Sequence, residues 1–139
     1  MVYAQNSNGL ARGLLTAWNP SVADLQHFSF VLGMLLEGRI KGYSEGVKIM
    51  NCYAPFSGKK VFWEKVMECG ILSEDNLIFG GDLNFTLARN EVWGSNTRLD
   101  ELSNFLNQMI LDFKMIDDHP WKLSPTWRNG RTVGRAIGK

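Results

Sequence analysis

The stretch Leu77-Ile78-Phe79-Gly80-Gly81-Asp82-Leu83-Asn84-Phe85 decides how the rest of the chain is read. Its short continuous apolar run is the pattern of a buried central strand. Two glycines then permit a tight turn or a close backbone approach. In extended backbone Asp82 and Asn84, two apart, point to the same side. A carboxylate beside a carboxamide at the C-terminal end of such a strand can handle a water and an oxyanion. The carboxylate orients or deprotonates the water, and the amide donates to a phosphoryl oxygen. Taken alone, the stretch is read first as a strand end whose Asp and Asn satisfy turn amides, because Gly-Gly-Asp turns are common.

Working outward, Asn51-Cys52-Tyr53-Ala54-Pro55 ends the preceding strand. Val47, Ile49, Asn51 and Tyr53 share one face of it, with Lys48, Met50 and Cys52 on the other. Tyr53 brings a phenol that can donate to a phosphate, but taken alone it is read first as an amphipathic residue closing a strand. Cys52 is read as a small core residue. Between the two stretches, Lys59 to Ile71 reads as a helix striped by Phe62, Val66 and Met67, with Gly70 near its end. Upstream, Gly13 to Trp18 is a short strand closed by Asn19-Pro20. His27 to Ile40 suits one long strand, and Lys41 to Gly46 a hairpin loop. His27 itself is expected to be a surface or hydrogen-bonded structural histidine. Downstream, Leu99, Leu102, Phe105, Leu106, Met109, Ile110 and Phe113 recur at helical spacing, with Thr97 as the expected cap and Asp100 in the capping-box position. Met115-Ile116 and Pro125-Thr126-Trp127 are candidate short strands.

Composition narrows the class. The 139 residues carry 45% hydrophobic and 21% charged residues, which excludes a disordered or collagen-like chain. The net charge of +1 gives no global field toward nucleic acid or membrane. Two cysteines, Cys52 and Cys69, make no CxxC or Cys/His cluster, so a zinc site is not expected and a reducing compartment is. Met1 to Arg12 lacks the apolar segment of a signal peptide, and Phe28 to Leu36 is far short of the ~20 apolar residues of a membrane helix. The expected location is intracellular, cytoplasmic or nuclear. Charge is unevenly placed: Asp24 is the first acid and Asp118 the last. Beyond His119 come Lys122, Arg128, Arg131, Arg135 and Lys139 with no acid, either a solvated tail or a phosphate-contacting arm.

The order of these segments resembles the endonuclease/exonuclease/phosphatase superfamily. Within it the chain is most similar to the endonuclease domain of plant non-long-terminal-repeat retrotransposons. The resemblance rests on Gly13–Asn19 (GLLTAWN), Asn51–Pro55 (NCYAP), Lys60–Glu64 (KVFWE), Leu77–Phe85 (LIFGGDLNF), Asn96–Phe105 (NTRLDELSNF) and Thr126–Arg131 (TWRNGR). It implies an α/β (α+β) fold, a partial two-sheet β-sandwich flanked by helices, as a single domain over 1–139. It also implies Mg²⁺-dependent hydrolysis of a DNA phosphodiester by an activated water, with DNA or another phosphodiester as partner and neither a membrane nor an obligate protein partner. Carried across, Asp82 activates or orients the water, Asn84 fixes Asp82 or the phosphate, and Tyr53 contacts the phosphate in the transition state. Asn51 and Trp127 are the implied substrate-side residues, Trp127 at the DNA-facing rim.

Departures from the pattern matter as much. Relatives place an Asn and a metal-binding Glu ahead of the GLLTAWN segment, where this chain has no acid. They place an Asp and then an Asp-His pair after the TW segment, where it has no Asp, Glu or His. Its metal ligands are therefore unassigned, and the expectation is the central portion of the domain with an incomplete catalytic set. Phe56 stands where relatives often carry Asn. Asp118-His119 imitates the missing pair by dipeptide only and is read as a loop. The alternative to a nuclease is a non-catalytic retroelement remnant or a weak nucleic-acid-binding fragment.

Overall fold

The computed structural model describes residues 1–5, 13–30, 32–94, 98–118 and 137–138. The chain divides into two compact units, Met1–Asn84 and Phe85–Lys139.

The first unit is layered. Strands β1 (Val2–Gln5) and β2 (Leu14–Ala17) pair antiparallel. Strands β3 (Ala23–Phe30), β4 (Gly33–Ile40), β5 (Gly46–Tyr53) and β6 (Leu77–Asp82) form a second sheet in that order. The pairs β3/β4 and β4/β5 are antiparallel, and β5/β6 is parallel. A parallel neighbour needs a crossover, here helix α1 (Lys59–Glu68) followed by a single 3-10 turn at Ile71–Ser73.

Register assigns the two faces of the larger sheet. Ala23, Leu25, Leu36, Ile40, Val47, Ile49 and Asn51 share one face through the pairs Ala23↔Ile40, Leu36↔Ile49 and Gly38↔Val47. Ala23, Leu25 and Leu36 are buried there, and Trp18, just beyond β2, packs against them with Ile40, Val47 and Ile49. Tyr3 of β1 stacks on Trp18 at 5.6 Å and on His27 at 3.5 Å. The smaller sheet thus lies over this face. Met50, Cys52 and Phe79 belong to the opposite face, where α1 sits: Trp63 is 1% exposed and meets the Phe79 ring at 5.8 Å. The expected α/β class with two layered sheets and flanking helix is present.

Several element boundaries differ from the sequence reading. His27 to Ile40 is not one strand. It is most of a hairpin, β3 and β4, because the turn before Gly33 reverses the chain and lets Phe30 face Gly33. An apolar strand and an apolar hairpin have the same composition, and no Asn-Gly or Pro marks this turn. The helix beginning at Lys59 stops at Glu68 rather than Ile71, since Gly70 takes φ 78°. Strand β1 was not foreseen. The run Leu77–Phe79 was expected to be central and buried. Among the described residues β6 instead stands last in the order of its sheet, and Ile78 is 55% exposed.

The second unit holds a 3-10 turn at Arg89–Glu91, the short antiparallel pair β7 (Trp93–Gly94) and β8 (Ile137–Gly138), and helix α2 (Ser103–Asp112). The helical spacing of Phe105, Leu106 and Met109 is realised, with Leu106 and Met109 buried. The helix begins four residues later than Leu99. Asp100 does not serve as the third residue of a capping box; its Oδ1 accepts from the Leu102 amide at 3.0 Å, making a turn ahead of the helix. Thr97 lies outside the described residues, as do His119 and Pro125 to Trp127. Met115-Ile116 is not a strand, and Ile116 is 93% exposed.

Among the described residues Trp63 is the largest side chain that is fully buried. Trp63→Ala should destabilise the protein by about 3–5 kcal/mol, the range for deleting a buried large aromatic, read as a lower urea midpoint with unchanged slope.

Candidate active site at the carboxyl ends of β5 and β6

The parallel pairing runs Asn51↔Gly80, Cys52↔Gly81 and Tyr53↔Asp82. Tyr53 and Asp82 are therefore lateral neighbours on adjacent strands, about 4.8 Å apart along the backbone. Both lie at the carboxyl ends of parallel strands, a common position for ligand sites in α/β sheets. The Asp82 side chain is exposed, while Tyr53 is half-buried.

Three backbone features set this geometry. The Ala54 amide donates to the Asp82 carbonyl at 2.8 Å, continuing the pairing one residue beyond Tyr53. The Asn84 side-chain amide donates back to the Ala54 carbonyl. Both polar groups of Ala54, which is 0% exposed, are thus satisfied by the Asp82–Asn84 segment. Gly81 makes the close approach possible: its φ is 128°, and a Cβ there would stand 2.0 Å from the Cys52 carbonyl oxygen. No L side chain fits this position.

Asn84 takes φ 51°, so the backbone between it and Asp82 is not extended, contrary to the simple alternation expected from spacing. The left-handed conformation is one that Asn tolerates. It turns the chain so that the Asn84 amide donates to Asp82 Oδ1 at 3.3 Å. Asp82 and Asn84 are joined by this local turn and by the Ala54 clamp. The turn reading and the functional reading therefore hold together: these hydrogen bonds position a carboxylate that remains exposed.

Asn51 has a different setting. Its side-chain nitrogen donates to Thr16 Oγ1 at 2.9 Å and lies 3.3 Å from the Leu15 carbonyl oxygen. These bonds tie the smaller sheet to β5. The Asn51 Oδ1 borders Gly81, 3.0 Å from where a Cβ would be. Trp127 lies outside the described residues. Thr16 and Ala54 were missed in the sequence, because neither residue type announces a role; the paired glycines were the one available signal for the close approach.

Cys52 is 0% exposed, as expected for a core residue. Burial, with the negative charge of Asp82 adding to it, pushes its thiol up to about 12. It is held neutral and unreactive beside the site.

Asp82 is the carboxylate that these strand ends offer. Among the described residues no three His, Cys, Asp or Glu side chains come together in a way that could hold a metal ion. Mg²⁺ is usually held by one or two carboxylates plus substrate phosphates. One carboxylate beside amide and phenol oxygens is a sparse set, and the described residues do not by themselves make a Mg²⁺ centre.

No family model and no curated protein matches the chain. Among solved structures, it has the fold of an endonuclease domain. That of TRAS1, a telomere-specific non-LTR retrotransposon, matches with a TM-score of 0.72 at 14% sequence identity, over 100% of this chain and 63% of that one. The chain thus spans less than two thirds of the length of the domain whose fold it shares.

The neutral thiol gives a pH prediction. Between the ordinary cysteine value of 9.0 and about 12, the unfolded chain ionises Cys52 while the folded chain keeps it protonated. The unfolded state then binds fewer protons, so stability falls as pH rises through this window and is unaffected below it. The melting temperature should drop less steeply from pH 9 to 11 in Cys52→Ala than in the unsubstituted protein. At pH 8, a thiol reagent should modify exposed Cys69 at once and Cys52 only on unfolding.

Proposed function

We propose that this chain is a retrotransposon-derived, endonuclease-like domain whose β5/β6 end handles a phosphodiester of DNA. The observation that carries the reading is the pairing of Tyr53 with Asp82 at the carboxyl ends of the parallel strands, locked by the Ala54–Asn84 clamp. The shared fold supports it. In this proposal Asp82 orients or deprotonates the attacking water, its exposure leaving room for that water. Tyr53 donates its phenolic proton to a phosphate oxygen as charge builds there. Asn84 holds the Asp82 turn. Asn51 acts by anchoring β5 to β2 at Thr16; Trp127, which lies outside the described residues, is kept as a substrate-side residue on the family resemblance alone.

The single carboxylate at the described site favours a second reading, a non-catalytic nucleic-acid-binding remnant. Plasmid nicking by the purified chain separates the two. The proposal of weak Mg²⁺-dependent hydrolysis expects slow nicking of supercoiled DNA, abolished by EDTA and reduced about 10²- to 10⁴-fold by Asp82→Ala if Asp82 is the base. Binding without nicking in Mg²⁺ selects the second reading. Neither nicking nor binding rejects both.

The basic residues Lys122, Arg128, Arg131, Arg135 and Lys139 supply a separate expectation. If they meet phosphates, DNA affinity falls steeply and log-linearly with salt, and each neutralised residue reduces the slope by about 1. Substituting Arg128, Arg131 and Arg135 by Gln should weaken binding evenly across unrelated sequences, measured by fluorescence anisotropy at several salt concentrations.

A further inference from the structure

Gly80 and Gly81 stand side by side in β6, and the fold explains only the second of them. At Gly81 a positive φ and the nearby Cys52 carbonyl oxygen exclude a side chain. Gly80 has no positive φ, and a Cβ on it would have no described atom within 4 Å. A glycine inside a strand weakens it, through backbone entropy and the loss of a side chain to pack. Among the described residues, then, the bare backbone at 80 costs stability and relieves no clash.

The surroundings show what that bare backbone keeps clear. Register puts Ile78 beside Ile49 and Gly80 beside Asn51, on the face that the smaller sheet covers. The smaller sheet reaches Asn51, whose side-chain nitrogen meets Thr16 Oγ1 and the Leu15 carbonyl oxygen. One strand further out, Ile78 is 55% exposed and Gly80 adjoins open space among the described residues. β6 therefore carries an uncovered strip from Ile78 over Gly80 to exposed Asp82, with half-buried Asn51 and Tyr53 along its side. Positions two apart on a strand are separated by about 6.5 Å, so the bare backbone lies one such step from the candidate catalytic carboxylate.

We propose that Gly80 is a specificity-determining position: its lack of a side chain lets the sugar–phosphate backbone of a nucleic-acid strand lie close against β6, with the sugar next to the phosphodiester seated over Gly80. The inference deepens the proposed function and rests on it. Asp82 and Tyr53 supply the polar groups that meet the phosphodiester, and Gly80 supplies the closeness that brings it to them. A side chain at this position lifts the strand and moves the phosphate away from Asp82, and a misplacement of about 1 Å at a reacting centre costs about 10²-fold in rate. The exposed Ile78 offers the next sugar an apolar surface.

Gly80→Ala and Gly80→Val in the full chain test it by separating stability from DNA handling. Neither should lower the melting temperature, because Ala in place of Gly is stabilising where the backbone suits any residue and Val suits a strand. Affinity for a fluorescein-labelled duplex oligonucleotide, read by anisotropy, should fall in the order Gly, Ala, Val. Where the unsubstituted chain nicks plasmid in Mg²⁺, Gly80→Val should nick about 10²-fold more slowly. Ile78→Glu, which sets a negative charge on the strip, should weaken binding, and Ile78→Lys should strengthen it and steepen the log–log salt slope by about 1. A lower melting temperature in the Gly80 variants makes the glycine a structural residue and overturns the proposal. A folded Gly80→Val that binds and nicks as the unsubstituted chain does also overturns it, while leaving the Asp82 site standing. An unsubstituted chain that neither binds nor nicks DNA overturns it together with the function on which it rests.

Discussion

The parallel pairing of β5 with β6 is the constraint on which the first unit of this protein depends. It forces a crossover, which places α1 and its buried Trp63 over one face of the sheet. The pairing ends in close backbone contact at Gly81 and Cys52, where a single methyl group would collide with a carbonyl oxygen. Beyond that contact Ala54 and Asn84 bind each other's segment, so the two strands finish together. Asp82 and Tyr53 are neighbours because the strands cannot end anywhere else in relation to one another.

The same constraint explains why the polar groups near the site divide into those held and those left open. The backbone of Ala54, the side chain of Asn84 and the donors of Asn51 are engaged in holding strand ends and sheets together. The Asp82 carboxylate accepts one local amide bond and is otherwise exposed. Cys52 lies behind the pair, buried and neutral. A site of this kind is preorganised by backbone hydrogen bonds more than by side-chain networks, so its carboxylate is supported without being shielded from water.

The smaller sheet contributes differently. Tyr3 stacks on Trp18 and His27, and Thr16 accepts from Asn51. These contacts join elements far apart in sequence: β1 and β2 to β3 on one side and to β5 on the other. His27 illustrates the point. Its sequence neighbours place it on a strand, but its ring is held by a tyrosine 24 positions earlier, which no local pattern announces.

The sequence by itself determined the α/β class, the apolar strand that leads into Asp82, the strand carrying Asn51 and Tyr53 on one face, and the buried Leu106 and Met109 of α2. These follow from period and from local turn chemistry, which act within a few residues. In α1 the expected stripe of Phe62, Val66 and Met67 gives way to burial of Trp63 and Val66. Only the tertiary structure decided that His27 to Ile40 contains a hairpin turn, that β6 stands last in its sheet among the described residues with Ile78 exposed, and that Asp82 pairs with Tyr53 in register. It likewise decided that Asn84 departs from extended backbone to close the clamp on Ala54, and that the donors of Asn51 go to Thr16 and Leu15. Each depends on which strand lies beside which, and a hydrogen bond across 30 or more residues leaves no periodic trace in either partner. Side-chain alternation records the face a residue occupies; only pairing records its neighbour.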